Sequence, residues 1–399
     1  MRFFGAVLFS AAMFALSSPA FPATVLVLPF HNTSHFSDLN WVGESISETL
    51  KGEFGALNEI VFDRDSVAKG LSQLALRPDA EFTKATLIRL GQVLDADYIC
   101  YGNYDATLRE GDSQLKNSSV HVTSRFIDLR KLHDGPSVTE AGKLSDLSRL
   151  EQHLAWEALK YLQPGHNLTL DQFMAPNKLV RLDAEESYIR GLLSTNKEQQ
   201  QKWFAQAVVL DPHFASPAFE LGNIYLSEKD YQQALRWFGQ VPLTDRHYPQ
   251  ARFNMGLSAY GSESYDSAAT YFREVAKSFP MNEVFNNLGA AENELGMPAA
   301  IDDFRRALDG DPKNTTYLFN MGLALLKSNS FDEAGRRLQA VVDRKPNDTE
   351  ARSLLSRAKA RESWTPGTKG IAPARLAPSF DATAFRQLKA MLQPRGNGS

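Results

Sequence analysis

One spacing constrains this 399-residue chain more than any other feature of it. Residues 253–280 read FNMGLSAYGSESYDSAATYFREVAKSFP, with Gly256, Ala268, Phe272 and Pro280 at fixed intervals. The glycine recurs at Gly191, Gly222, Gly256, Gly289 and Gly322. Alanines follow at Ala234, Ala268, Ala300 and Ala334, and large apolar residues four positions later at Phe238, Phe272, Phe304 and Leu338, with Phe204 in the first copy. Pro212, Pro280, Pro312 and Pro346 close four of the five units, and Arg246 stands in the remaining slot.

Each residue type has a steric reason to recur. Gly and Ala suit the crossing of two paired helices, where a larger side chain would push the backbones apart. The aromatic four residues past the alanine shares its helical face and is expected to fill the space between neighbouring units. Proline disfavours helical dihedrals in the residue before it and so ends the second helix. SEKDY, SESY and SNSF sit midway in their units, where a turn is needed. The first unit has a turn about three residues short by this alignment.

This pattern resembles the tetratricopeptide repeat, a helix–turn–helix unit of about 34 residues. The resemblance implies five units over 181–361 stacked into a right-handed superhelix, because no unit buries its apolar face alone. EARSLLSRAKAR, residues 350–361, reads as the capping helix, with Leu354, Leu355 and Ala358 inward. It also implies a concave groove, lined by the first helix of each unit, that takes protein or peptide partners. In the repeat's own register the groove candidates are Phe219, Asn223, Phe253, Asn254, Leu257, Tyr260, Asn287, Phe319, Asn320 and Leu323. In the chaperone-binding subset of the family, paired asparagines and several basic residues clamp a terminal carboxylate. Asn223 and Asn254 match the asparagines, but Phe219, Glu283 and Asn287 occupy the basic places. The groove is therefore expected to take an extended or helical peptide with apolar anchors, its backbone paired by asparagine side chains.

Residues 24–163 have a different texture. TVLVLPF is a continuous apolar run ended by proline, as in a buried strand. Val42, Ile46, Leu50, Phe54 and Leu57 then share one helical face, while Glu44, Glu48 and Glu53 read as solvent-facing charge. EIVFDR, two helical stretches, ADYICYGNYDATL and SSVHVTSRFIDLR follow, and LHDGPSV carries an Asp-Gly turn signal into a further strand. With the helix ending near Gln163, the order is β-α-β-α-α-β-β-β-α. The expected fold class is α+β overall: a mixed α/β amino-terminal domain followed by an all-α superhelix. The VLPF strand, polar loop and helix, with LDADYICYG later, resemble the TolB amino-terminal-like module over about 140 residues. That likeness implies a non-enzymatic scaffold or partner-binding unit.

Residues 164–180 read as a linker, and 362–399 as a flexible tail whose DATAFRQLKAMLQ forms a short amphipathic helix with Phe385, Leu388 and Met391/Leu392 on one face. That helix has two candidate docks, its own groove or a partner. At the other end, MRFFGAVLFSAAMFALSSPA has one positive residue, an apolar run too short to span comfortably, and small residues at Ser18 and Ala20. A signal peptide over 1–20 and a periplasmic or secreted protein with no stable membrane span are expected. The lone Cys100 permits no intramolecular disulfide and no lipid anchor after the signal segment.

A formal net charge of -4 gives no basic excess for nucleic acid. His31, His35 and Asp38 lack a firm third metal ligand, the glycines of 24–163 are scattered rather than looped around a phosphate, and GLSQL lacks the closing glycine of a nucleophile elbow. No enzyme, metal or cofactor is expected. The alternative function is metabolite sensing, with the ligand at the strand carboxyl ends of the amino-terminal domain.

Overall fold

The computed structural model describes residues 22–77, 80–108, 114–165, 167–176, 178–364 and 373–392. The signal segment 1–20 lies outside the described residues, as do the side chains of Met391 and Leu392. The amino-terminal region is a mixed sheet between two helical layers. Its elements are β1 (Thr24–Val27), β2 (His31–Asn32), α1 (Trp41–Ala56), β3 (Ile60–Val61), α2 (Arg64–Gln73), α3 (Lys84–Leu94), β4 (Tyr98–Thr107), β5 (Ser119–Asp128), β6 (His133–Lys143) and α4 (Leu147–Leu162). Strands run in the order β3-β1-β4-β5-β6, with β2 also on β4; β1 is parallel to both its neighbours, and β4, β5 and β6 are antiparallel.

Alternation along β1 accounts for its unbroken apolar run. Val25 and Val27 point into a core shared with α1 and α4, while Leu26 and Leu28 point into a second core with α2 and α3. Cys100 sits in the first of these cores beside Ser124 Oγ at 3.4 Å, and burial pushes its thiol up to about 12. Gly43 lets α1 close onto the sheet, because a Cβ there would meet the Phe30 carbonyl oxygen at 1.9 Å.

Two local expectations are corrected. The turn between β5 and β6 spans 129–132, with Leu132 at φ 52°, and Asp134 and Gly135 lie inside β6. Gly135 answers to packing rather than to a turn: a Cβ there would meet Phe126 Cβ at 2.7 Å and Tyr161 Oη at 2.8 Å. Glu44 and Glu48 are not simply solvated either, since the Arg64 guanidinium holds both, at 2.9 and 3.0 Å, and Lys51 pairs with Glu48.

Helix pairs occupy the rest: α5 (Leu170–Met174), then α6 (Leu182–Leu193) with α7 (Lys197–Leu210), α8 (Ala215–Ser227) with α9 (Tyr231–Phe238), α10 (Tyr248–Gly261) with α11 (Tyr265–Ser278), α12 (Asn282–Glu294) with α13 (Ala299–Gly310), and α14 (Thr315–Lys327) with α15 (Phe331–Arg344). A closing helix, α16 (Thr349–Ala360), packs on α15, and α17 (Ala382–Leu392) follows later in the chain.

The recurring residues do what their sterics demand. Each aromatic packs on the glycine of its own pair: a Cβ on Gly222, Gly256 or Gly289 would stand 2.5, 2.6 or 3.0 Å from the ring of Phe238, Phe272 or Phe304. That contact within the unit stands beside packing between units, since Phe238 shares a core with Ala251 and Met255 of the next pair, and Phe272 with Val284 and Leu288. Residues before the closing prolines leave the helical region, with φ −140° at Asp211, −129° at Phe279, −136° at Asp311 and −129° at Lys345. Turns within the pairs use a left-handed residue at Lys229, Glu263, Gly296 and Asn329.

The stretch 164–180 does not merely separate two bodies. Phe173 of α5 and Ile189 of α6 are buried in the same core as α1 and α4. At that junction Ser45 donates to Glu185 at 2.7 Å and Thr49 donates to Glu151 at 2.6 Å. Both carboxyls are held above the usual range by burial, and Glu151 further by Glu185 beside it.

Candidate peptide-binding groove

Side chains on α10, α12 and α14, the first helices of the last three pairs, meet the chain's own residues 374–380. This segment was expected to be part of a flexible tether. It forms neither helix nor strand, yet Ala374, Ala377 and Phe380 are buried. Residues 365–372, between α16 and this segment, lie outside the described residues.

Two asparagines hold its backbone on both sides. Asn320 Nδ2 donates to the Arg375 carbonyl and Asn320 Oδ1 accepts from the Arg375 amide, each at 2.7 Å. Asn287 repeats the arrangement at Ala377, with 2.9 Å to the carbonyl and 2.7 Å from the amide. Asn286 adds a 3.0 Å bond to the Arg375 carbonyl, and Asn320 also donates to Asn286 Oδ1. The matching of residues two apart to asparagines one unit apart follows from backbone geometry: alternate residues of an extended chain turn their polar groups to the same side. The segment runs opposite to the order of the units. Tyr260 donates to the Ala374 carbonyl at 2.9 Å, and the Ala374 amide donates to Glu294 at 3.2 Å.

Side chains anchor the two ends. The Arg375 guanidinium forms a bidentate pair with Asp348, at 2.7 and 2.8 Å, bonds Glu350 at 2.7 Å and lies 3.5 Å from the centre of the Phe319 ring. Hydrogen bonding from Arg375 holds the Asp348 carboxyl down at about 2. At the other end the Phe380 ring packs against Phe253 at 4.9 Å and Phe279 at 5.6 Å between centroids. The helix α17, expected to carry any docking, contributes Phe385 on Phe279 at 5.5 Å, while Leu388 is exposed.

The sequence-derived candidates separate by place. Phe253, Tyr260, Asn287, Phe319 and Asn320 all meet the bound segment. Asn223 and Asn254 bond each other at 3.0 Å, and Phe219 stacks on His247 at 4.8 Å. Leu323 is buried in the array core, and Leu257 packs against it. Asn286, Phe279, Glu294, Asp348 and Glu350 were not anticipated. A register signal existed for part of the set: Asn254, Asn287 and Asn320 each stand two residues before a repeat glycine.

Comparison with known families agrees with this geometry. Two tetratricopeptide-repeat models match, over 253–315 and 297–358. Residues 253–358 are tetratricopeptide repeats. The preceding pairs carry the same contact between glycine and aromatic, at Gly191 with Phe204 and Gly222 with Phe238. No curated protein matches the chain. Among solved structures, it is similar to YrrB, described as a tetratricopeptide protein with an unusual peptide-binding site, at 20% identity and TM-score 0.40 over 45% of this chain and 92% of that one. It is similar to MamA from Desulfovibrio magneticus RS-1 at 18% identity and TM-score 0.38 over 42% and 96%. It is also similar to the LpoB carboxy-terminal domain from Salmonella enterica at 15% identity and TM-score 0.25, over 31% of this chain and 84% of that one. The chain is thus a mixed-sheet region followed by a tetratricopeptide array, an architecture that supports protein–protein interaction. No helix among the described residues is long and apolar enough to cross a membrane.

Proposed function

We propose that this protein is an exported, non-catalytic scaffold that holds segments of partner proteins in its tetratricopeptide groove during cell-envelope assembly. The observation that carries the reading is the double clasp by Asn287 and Asn320 on the backbone of residues 375 and 377. Such a clasp reads main chain rather than side chains, as peptide-binding sites do. Export rests on the apolar segment behind Arg2 and its small residues at Ser18 and Ala20. The resemblance of 24–163 to the TolB amino-terminal-like module makes that region a second contact surface.

The test is capture from periplasmic extract by the chain shortened after residue 372, alone and with Asn287→Ala and Asn320→Ala. Proteins held by the first and lost by the second support the reading; identical sets sink it. Metabolite sensing has one observation in its favour, away from the expected strand ends: a cleft of about 690 Å3 between the sheet domain and the array, lined by Glu48, Gln152, Tyr188 and Arg246 among others. A metabolite that raises the melting temperature of the chain, and fails to after Arg246→Ala, would favour it.

A further inference from the structure

The bound segment shows what the groove selects, not only that it binds. Within Ala374–Phe380 the side chains are sorted by their surroundings. Ala374 and Ala377 are 4% and 8% exposed, at the points where the backbone is clasped, so a larger side chain there would have to displace what covers them. Arg375 enters a site built from Asp348, Glu350 and the face of Phe319. Phe380 fills the gap between Phe253 and Phe279. Pro373, Pro378 and Ser379 are exposed.

We propose that the groove recognises, on partner proteins, an extended segment with arginine followed five residues later by an aromatic, with small residues flanking the arginine at one before and two after, and that residues 374–380 are a built-in competitor for it. This deepens the scaffold reading and rests on it. The acidic pair at one end sets the sign: an arginine gains two carboxylates and a ring, whereas an acidic residue in its place meets like charge. The apolar end sets the spacing, because the distance from Asp348 to Phe279 fixes how many residues separate the anchors. Tethering gives the tail an effective concentration on the order of mM, so a partner must carry both anchors to displace it.

The experiment uses a fluorescent peptide of sequence PARLAPSF, followed by anisotropy, against the full chain and the full chain carrying Arg375→Glu and Phe380→Ala. The expected result is saturable binding to the double variant and binding at least about tenfold weaker to the parent, whose tail competes. Replacing the peptide's arginine by glutamate, or its phenylalanine by alanine, should each weaken binding by about tenfold or more, while serine to lysine at the exposed position should change it little. Equal binding of all these peptides would overturn the two-anchor selection and leave the groove a general peptide site. Absence of binding to the double variant, with its far-ultraviolet circular dichroism and melting temperature unchanged, would overturn the peptide-groove reading itself. Concentration-dependent dimerisation of the parent that disappears in the double variant would assign the site to the tail of a second copy and overturn the partner proposal.

Discussion

Asn320 accepts from the amide of Arg375 and donates to its carbonyl, both at 2.7 Å, so one side chain satisfies a whole peptide-bonding position of a segment 55 residues further along the chain. Each such bond contributes roughly 0.5–1.5 kcal/mol net. Asn320→Ala should therefore raise the fraction of open tail by about ten- to a hundredfold. Faster amide exchange at Arg375 and Ala377, with α14 still protected, is the expected readout; unchanged exchange there would show that the clasp does not hold the tail.

Gly256 faces the Phe272 ring so closely that an added Cβ would lie 2.6 Å from it, and the ring itself is buried. Gly256→Val should destabilise the array by about 1–3 kcal/mol, because the ring has no space to retreat into. The additional change Phe272→Leu should restore part of the loss, which urea denaturation of both variants would measure.

Asp303 has its carboxyl pushed up to about 7 by burial and by Glu292, with Arg306 and Arg273 acting against that rise. An unfolded aspartate ionises near 3.9, so between about 4 and 7 the folded chain holds the extra proton. The contribution of this group to stability is then largest at the acid end and is lost as pH rises through 7. Asp303→Asn should flatten that dependence, so the melting temperature of the parent should fall relative to the variant between pH 4 and pH 7.

Glu151 and Glu185 meet at the junction of α1, α4 and α6, each with one oxygen bonded by a hydroxyl from α1. Both carboxyls are held above the ordinary range, so the folded state again binds protons that the unfolded chain releases. Glu185→Gln removes one charge and supplies an amide donor to Glu151. Its melting temperature should exceed the parent's at pH 8, with the gap closing towards pH 5; a lower value at pH 8 would mean that the charged pair is favourable.

The array was legible because each of its recurring residues answers to a local steric demand. Gly256 is small against Phe272, and Pro280 takes Phe279 out of the helical region, whatever lies elsewhere in the chain. The turn before β6 was misread because Asp134-Gly135 has the composition of a turn while Gly135 is demanded by Phe126 and Tyr161, contacts that no local pattern encodes. Register singles out Asn287 and Asn320, which bond residues 377 and 375, whereas Asn223 and Asn254, chosen by the same register, bond each other. Residues 373–380 read as part of a flexible tail by composition. Their seat depends on Asp348 and Glu350 lying opposite Arg375, a complementarity between distant segments with no periodicity to betray it.

The docking of Phe380 bears on solubility as well as on recognition. Without it, and without Arg375 over Phe319, the rings of Phe253, Phe279 and Phe319 would lose the groups that cover them, leaving apolar surface of the kind that promotes association. The chain keeps these rings covered by its own residues. Filling and protecting the surface are then the same contact, and every opening of the tail brings the aromatic floor to water.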